Sequence, residues 1–368
     1  MSVALKKRNP ALDVVRCCAL FFVISIHFFM CTDFYDQTMV GWVSCLMCIF
    51  RTLFLCCVPM FIMLSGTLLI GKRLSRSYYR KLIDTLGIYL LASFCCIIAN
   101  LIDSRIAGYT FSLPYEILGI FSFITAPYSW YINMYIGLFL LIPFLNILYT
   151  NLGSQQEKRG LILTLLLLSA LPNAVNIFRF NSLQWWFNPT SNDQYQSLLP
   201  GFWTCIYPIF YYYLGAYLRE YPLKLKQSTC AWLILGWTIL FGLFQFYRSY
   251  GTVFAGGPWQ EWGSAYVAVG TVLIYHLLSH IDLTRCSEKV LNWLSRLSGL
   301  CLGAYLVSAI FDRWFYRMLN NSVEKYSQKI PFFFLIVPAV YICSLVLSAL
   351  IQWLYDHLRT IVSACRIK

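Results

Sequence analysis

Ala11-Leu-Asp-Val-Val-Arg-Cys-Cys-Ala-Leu-Phe-Phe-Val-Ile-Ser-Ile-His27 begins an apolar run that lasts to Cys31. About twenty apolar residues make a helix long enough to cross a bilayer, so the run predicts a first membrane span over 11–31. It also contains an arginine and a histidine. Arg16 and His27 are eleven positions apart, roughly three helical turns, which sets them on one face about 16 Å apart along the axis. Asp13 lies three residues before Arg16 on the same side. A cation in lipid is costly unless it faces protein or water, so an intramembrane Arg–His pair marks a functional site. Taken singly, each residue has a plainer reading: an interfacial arginine snorkelling to the headgroups, and a histidine buried for packing.

The rest of the chain agrees with a membrane protein. Of 368 residues, 59% are hydrophobic and 12% charged, with mean hydropathy +0.64; a soluble domain carries about 25% charged residues. The net charge of +13 needs no nucleic-acid partner, because the Lys and Arg residues sit in loops and form no basic stripe. Most of the fifteen cysteines lie in apolar runs and are read as packing residues. Cys45 and Cys48 form a lone C-x-x-C with no second pair, and His276 with His280 has no carboxylate in reach, so no metal is expected. The basic N-terminus, without a small-residue cleavage site, predicts an uncleaved first span rather than a signal peptide.

Apolar runs recur about ten times, near 11–31, 42–69, 80–101, 129–149, 160–178, 198–218, 229–247, 264–281, 299–319 and 332–355. The fold class is therefore all-α: a polytopic membrane bundle of about ten helices, with residues 1–368 as a single domain. The second run is long enough to begin as an outer interfacial helix. Lys6, Lys7, Arg8, the cluster Lys72 to Lys81, Lys158, Arg159, Arg219, Lys224, Lys226, Arg285, Lys289, Arg296, Arg359, Arg366 and Lys368 fall on one side of these spans. The positive-inside rule makes that side cytoplasmic and both termini with it. The outer loops hold Trp185, Trp186, Trp259 and Trp262, which serve either as interfacial anchors or as platforms for sugar rings. No internal repeat of the transporter kind is visible.

In this orientation Arg16 stands just inside the cytoplasmic surface and His27 near the outer one. The arrangement suits an anionic donor from the cytoplasm and a hydroxyl acceptor from outside, since a neutral imidazole takes a proton from a sugar hydroxyl. Arg51, Asp84, Asp312 and Arg313 are further intramembrane charges, each either a bundle-stabilising ion pair or part of a site. The run Lys72-Arg73-Leu-Ser-Arg76-Ser-Tyr-Tyr-Arg80-Lys81 either sets topology and attracts anionic lipid or binds the phosphates of a nucleotide-bearing donor.

Several segments together resemble the acyltransferase type 3 family of integral membrane acyltransferases. Arg8-Asn-Pro-Ala-Leu-Asp13-Val-Val-Arg16 followed by His27 is similar to its first-helix motif of Arg, ten residues, then His. Val58-Pro-Met-Phe-Ile-Met-Leu-Ser65-Gly66 resembles its proline-to-Ser-Gly helix, and Tyr79-Arg80-Lys81 occupies the place of its basic loop. Ser129-Trp130-Tyr131 through Pro143 resembles its Trp-Tyr helix, and Leu302-Gly303-Ala-Tyr305-Leu-Val-Ser308 its late Gly-x-Tyr-Leu motif. The matching segments run in order from residue 8 to residue 313.

The resemblance implies a ten-helix bundle that uses acyl-CoA, usually acetyl-CoA, to acylate hydroxyls of cell-surface glycans. It carries Arg16 and His27 over as the essential pair, with His27 as base, and Arg73, Arg76 and Arg80 as coenzyme contacts. Two departures stand out. Ser308 occupies a position where many members have a histidine, and Tyr128 and Ser129 precede the Trp-Tyr pair where many have another. No hydrolase-like domain is expected after the bundle, so transfer should finish within it or on a separate partner.

The resulting expectation is an O-acetyltransferase of the cell (plasma) membrane, acting on a glycan or glycolipid at the outer face. Asp13, Arg51, Ser65, Trp130, Tyr131, Tyr305, Ser308 and Asp312 are expected to support the site, with Arg51 a candidate for stabilising an oxyanion. Direct transfer is slightly preferred over a relay through Ser65 or a tyrosine. The alternative is a transporter of a small anion or glycan, with the intramembrane charges as its path.

Overall fold

A computed structural model describes residues 9–179 and 196–365. Lys6, Lys7, Arg8, Trp185, Trp186, Arg366 and Lys368 lie outside the described residues. The chain is helical in the order α1 (Ala11–Cys31), α2 (Gly41–Phe54), α3 (Cys57–Leu69), α4 (Arg76–Ala107), α5 (Leu113–Phe121), α6 (Trp130–Asn151), α7 (Gln155–Leu165) and α8 (Pro172–Val175). It continues through α9 (Tyr207–Glu220), α10 (Gln227–Ser249), α11 (Ala265–Ser279), α12 (Glu288–Ser322), α13 (Tyr326–Lys329) and α14 (Phe333–Cys365). Among the described residues the one β feature is an isolated bridge between Met39 and Tyr250.

Sequence signals set the helix ends. Ser75, Ser154, Ser264 and Ser287 accept from backbone N–H groups in the first turns of α4, α7, α11 and α12, and Ser154 with Glu157 forms a full capping box. Gly108, at φ 75°, ends α4 in the left-handed region.

Eight helical stretches among the described residues are long and apolar enough to cross a bilayer. They coincide with eight of the ten expected spans. The other two fall on shorter helices. The 160–178 run is interrupted by a π-helical turn at Leu166–Ala170 and by Pro172, and helix within the 198–218 run begins only around Thr204, with Pro208 in the first turn of α9. The long second run bends at Leu55-Cys56, which divides it into α2 and α3.

α1 is the hub of the bundle, packed against α2, α3, α11, α12 and α14. Arg16 and His27 are therefore directed at protein rather than lipid. The closest approach elsewhere is between α3 and α9. A Cβ on Gly66 would fall on the Tyr212 carbonyl, and one on Gly215 on the Met63 carbonyl. Thr67 Oγ1 donates to the Gly215 carbonyl at 3.0 Å across the same contact. Small residues that let helix backbones touch are the usual device of membrane bundles, and here they explain the glycine of the Ser65-Gly66 pair. Gly303 does the same between α12 and α14, where a Cβ would meet the Ser348 hydroxyl.

Candidate active site

α1 carries Arg16 and His27 to two different surroundings. At its N-terminal end, Arg16 Nη1 donates to Ser298 Oγ of α12 at 2.9 Å. The guanidinium lies between two cavities. One, of about 740 Å³, includes Asp13, Arg16, Lys72, Arg219, His276 and His280 in its wall. The other, of about 270 Å³, is mostly apolar; its polar lining comes from Arg16, Ser65, Thr85, Tyr131, Tyr135, Ser298 and Tyr305. Arg16 thus joins a charged vestibule to a narrow chamber inside the bundle.

His27 is 5% exposed and sits deeper along the helix. Its Nδ1 lies 2.8 Å from Oδ2 of Asp312, which is 2% exposed. Tyr128 donates its hydroxyl to the same oxygen at 2.9 Å, and its ring stacks on the imidazole with centroids 3.8 Å apart. The Tyr305 hydroxyl in turn donates to the Tyr128 carbonyl. A carboxylate facing Nδ1 holds the N–H there and leaves the Nε2 lone pair as a proton acceptor. Nε2 bonds to none of the described residues. The cluster is an oriented imidazole on a fixed carboxylate, which is the arrangement general-base catalysis needs.

Tyr131 and Tyr305 line the narrow chamber, whereas His27 does not. Tyr305 links the chamber to the cluster, since its hydroxyl donates to the carbonyl of Tyr128, the residue whose ring stacks on His27.

The remaining candidates separate clearly. Asp13 is buried and lines the vestibule. Ser65 lines the chamber, but its hydroxyl donates to the Phe61 carbonyl at 3.0 Å. Ser308 is fully buried and donates to the Tyr305 carbonyl at 2.9 Å, one turn back on its own helix. Trp130 stacks on Trp262 with centroids 4.5 Å apart. Arg73, Arg76 and Arg80 are exposed around the start of α4, and of that basic run only Lys72 lines the vestibule. Arg219, which sequence reading treats only as a topology marker, lines it as well and donates to the Thr67 carbonyl. His276 and His280 also border it, with rings 4.4 Å apart. Among the described residues no group of three metal-ligating side chains occurs.

The structure does not bring Arg51 to His27. Arg51 donates to Tyr35 and Gln260 and lies over the Phe254 ring, 4.5 Å from its centroid. Its cavity contains neither His27 nor Asp312. The bend after α2 and the aromatic cluster of Phe29, Phe34, Phe54 and Phe254 give this end of α2 its own environment. Arg313, the neighbour of Asp312, turns to Asn100 and Asp103 of α4 instead. Asp84 accepts from Tyr355 and Arg359, an ion pair between α4 and α14. Trp259 is 2% exposed and donates to Gln245, so it is neither an interfacial anchor nor an open stacking platform.

Two residues central to this geometry escape sequence reasoning. Tyr128 gives no signal beyond its place just before the Trp130-Tyr131 pair, and Ser298 gives none at all, since its partner is 282 positions away. Tyr135, one turn after Tyr131, is recoverable from helical spacing on the chamber face.

No curated protein and no solved structure matches the chain. The family model for the acyltransferase domain, by contrast, matches residues 9–353, a stretch that holds α1 with its Arg–His pair, the vestibule, the chamber and the Asp312 cluster. The chain belongs to the acyltransferase type 3 family and is a membrane acyltransferase.

Proposed function

We propose that the protein transfers an acyl group, acetyl in the simplest case, from cytoplasmic acyl-CoA to a hydroxyl of a cell-surface or lipid-linked saccharide at the outer face of the plasma membrane. The observation that carries this reading is the His27–Asp312–Tyr128 cluster, set about three turns beyond Arg16 on one helix. The whole chain acts as one acyltransferase domain, with both termini cytoplasmic.

The vestibule is suited to the phosphates of the coenzyme. Arg16, Lys72 and Arg219 supply positive charge there against Asp13, and Arg forks pair phosphate oxygens well. Arg73, Arg76 and Arg80, exposed on the segment that follows Lys72, are the further coenzyme contacts in this reading. The smaller chamber, lined along α1 by Arg16 and Val23, suits the thin arm that bears the thioester. To reach the imidazole the arm has to pass Tyr305 and Tyr128, whose ring stacks on it.

In the reaction, His27 Nε2 takes the proton of the acceptor hydroxyl as its oxygen attacks the thioester carbonyl. Asp312 stabilises the imidazolium that forms. Collapse breaks the C–S bond, and the leaving thiolate takes the proton back from His27. Tyr131, whose hydroxyl bonds to none of the described residues, is the donor we assign to the developing oxyanion. Direct transfer is favoured over a serine relay because Ser65 and Ser308 donate to backbone carbonyls and neither is bonded to a base. No metal takes part in this scheme.

The test is acyl transfer in membranes, with labelled acetyl-CoA and a glycolipid fraction, comparing wild type with His27→Ala. Loss of label transfer with normal insertion is expected. Equal labelling by both would remove His27 from the chemistry. Movement of intact glycan across the membrane without acyl-CoA would make the protein a transporter instead.

A further inference from the structure

Arg51 is a buried charge that the transfer chemistry leaves unused. It is 8% exposed, lies in a membrane-spanning stretch, and pairs with no carboxylate among the described residues. Its two hydrogen-bond partners are neutral: Nε donates to the Tyr35 hydroxyl at 2.9 Å, and Nη1 donates to the Gln260 side-chain oxygen. A buried guanidinium without a counter-ion is costly, and in natural sites the missing charge is usually a ligand's.

The orientation of the partners points the same way. A guanidinium only donates, so Tyr35 and Gln260 must both turn an oxygen lone pair towards it. That leaves the Tyr35 O–H, the Gln260 amide hydrogens and Arg51 Nη2 as donors that bond to no acceptor among the described residues. All three residues line one cavity of about 700 Å³. It lies beyond the C-terminal end of α1, at the opposite end of that helix from Asn9, Asp13 and the vestibule. Phe254 fixes the guanidinium from one side by a cation–π contact. The carboxylate in the wall, Glu261, is exposed and outside ion-pair distance of Arg51, so solvent screens it.

We propose that this cavity binds an anionic group, a phosphate or carboxylate, through Arg51, Tyr35 and Gln260, and that the group belongs to the acceptor. The identity of the ligand as acceptor rests on the acyl-transfer reading above; the anion site itself does not. A charged handle held here leaves the sugar hydroxyls free to reach His27, which explains a fixed cation at this end without any part in the chemistry.

Binding is measured on purified protein in nanodiscs made from neutral phosphatidylcholine, with glucose 1-phosphate, glucuronate and glucose as probes. The anionic sugars should bind at least about tenfold tighter than glucose, and Arg51→Met should remove that difference. Tyr35→Phe, which leaves the cavity's shape intact, should weaken anion binding several-fold, while Glu261→Gln should leave it equal or stronger. Nanodiscs with phosphatidylglycerol form the second arm: competition by that lipid would make a headgroup the source of the anion, whereas its absence leaves the sugar as the source. Equal binding of glucose and its phosphate, or anion binding unchanged in both Arg51→Met and Tyr35→Phe, overturns the site. His27→Ala should bind the anions as wild type does, so failure of the transfer reading and failure of this one are read separately.

Discussion

The two ends of α1 hold their polar residues in opposite ways. At Arg16 the side chain is half-buried, has one neutral hydrogen-bond partner in Ser298, and borders two cavities. At His27 the ring is buried, stacked and tied to a carboxylate that also holds a tyrosine. A loosely held cation beside open volume is suited to binding, since it adapts to a ligand's phosphates. An imidazole fixed from two directions is suited to chemistry, because orientation is settled before the substrate arrives. Damage at the His27 end should therefore lower kcat, and damage at the Arg16 end should raise KM for the acyl donor.

The largest effect is expected at the fixed end. His27→Ala should cut the transfer rate by about 10³-fold, within the usual range for loss of a general base, with little change in KM for acyl-CoA. Single-turnover measurements with labelled donor check it; a change confined to KM would reverse the roles of the two ends. Asp312→Asn comes next, at about 10²-fold, because the amide no longer stabilises an imidazolium. The paired substitution should lose scarcely more than His27→Ala alone, as groups acting as one unit are not additive. An additive loss would mean that Asp312 serves the bundle rather than the base.

That pairing also marks how far the sequence could be read. Apolar runs of spanning length are enough to place the eight helices that are long enough to cross a bilayer, because hydropathy is a local signal. Asp312 was visible as a costly intramembrane charge, but its partner is 285 positions away and only the packing of α1 on α12 brings them together. Tyr128 fills the space against His27 from the segment before α6, a contact that no spacing rule reaches. Arg51 shows the converse. Its charge was legible, yet its expected role beside the base was not met, since the bend at Leu55-Cys56 and the phenylalanines around α2 place it in another cavity. The interrupted span at 160–178 has a local cause that hydropathy does not register: a π-helical turn followed by proline keeps the apolar run from forming one straight helix.

The adaptable end should yield smaller and different effects. Arg16→Lys keeps the charge but loses the planar fork, so KM for acyl-CoA should rise about tenfold while kcat falls by less. Ser298→Ala is the finest probe. The hydroxyl is the one described hydrogen-bond partner of the Arg16 guanidinium, and a single hydrogen bond to a charged group that retains access to water contributes about 1 kcal/mol or less. A two- to fivefold rise in KM is therefore expected, with kcat unchanged. A loss in kcat of the size expected for Asp312→Asn would mean that Arg16 is held as rigidly as His27, and the distinction between a binding end and a chemical end would fail at its weakest link, where among the described residues one serine holds the cation in place.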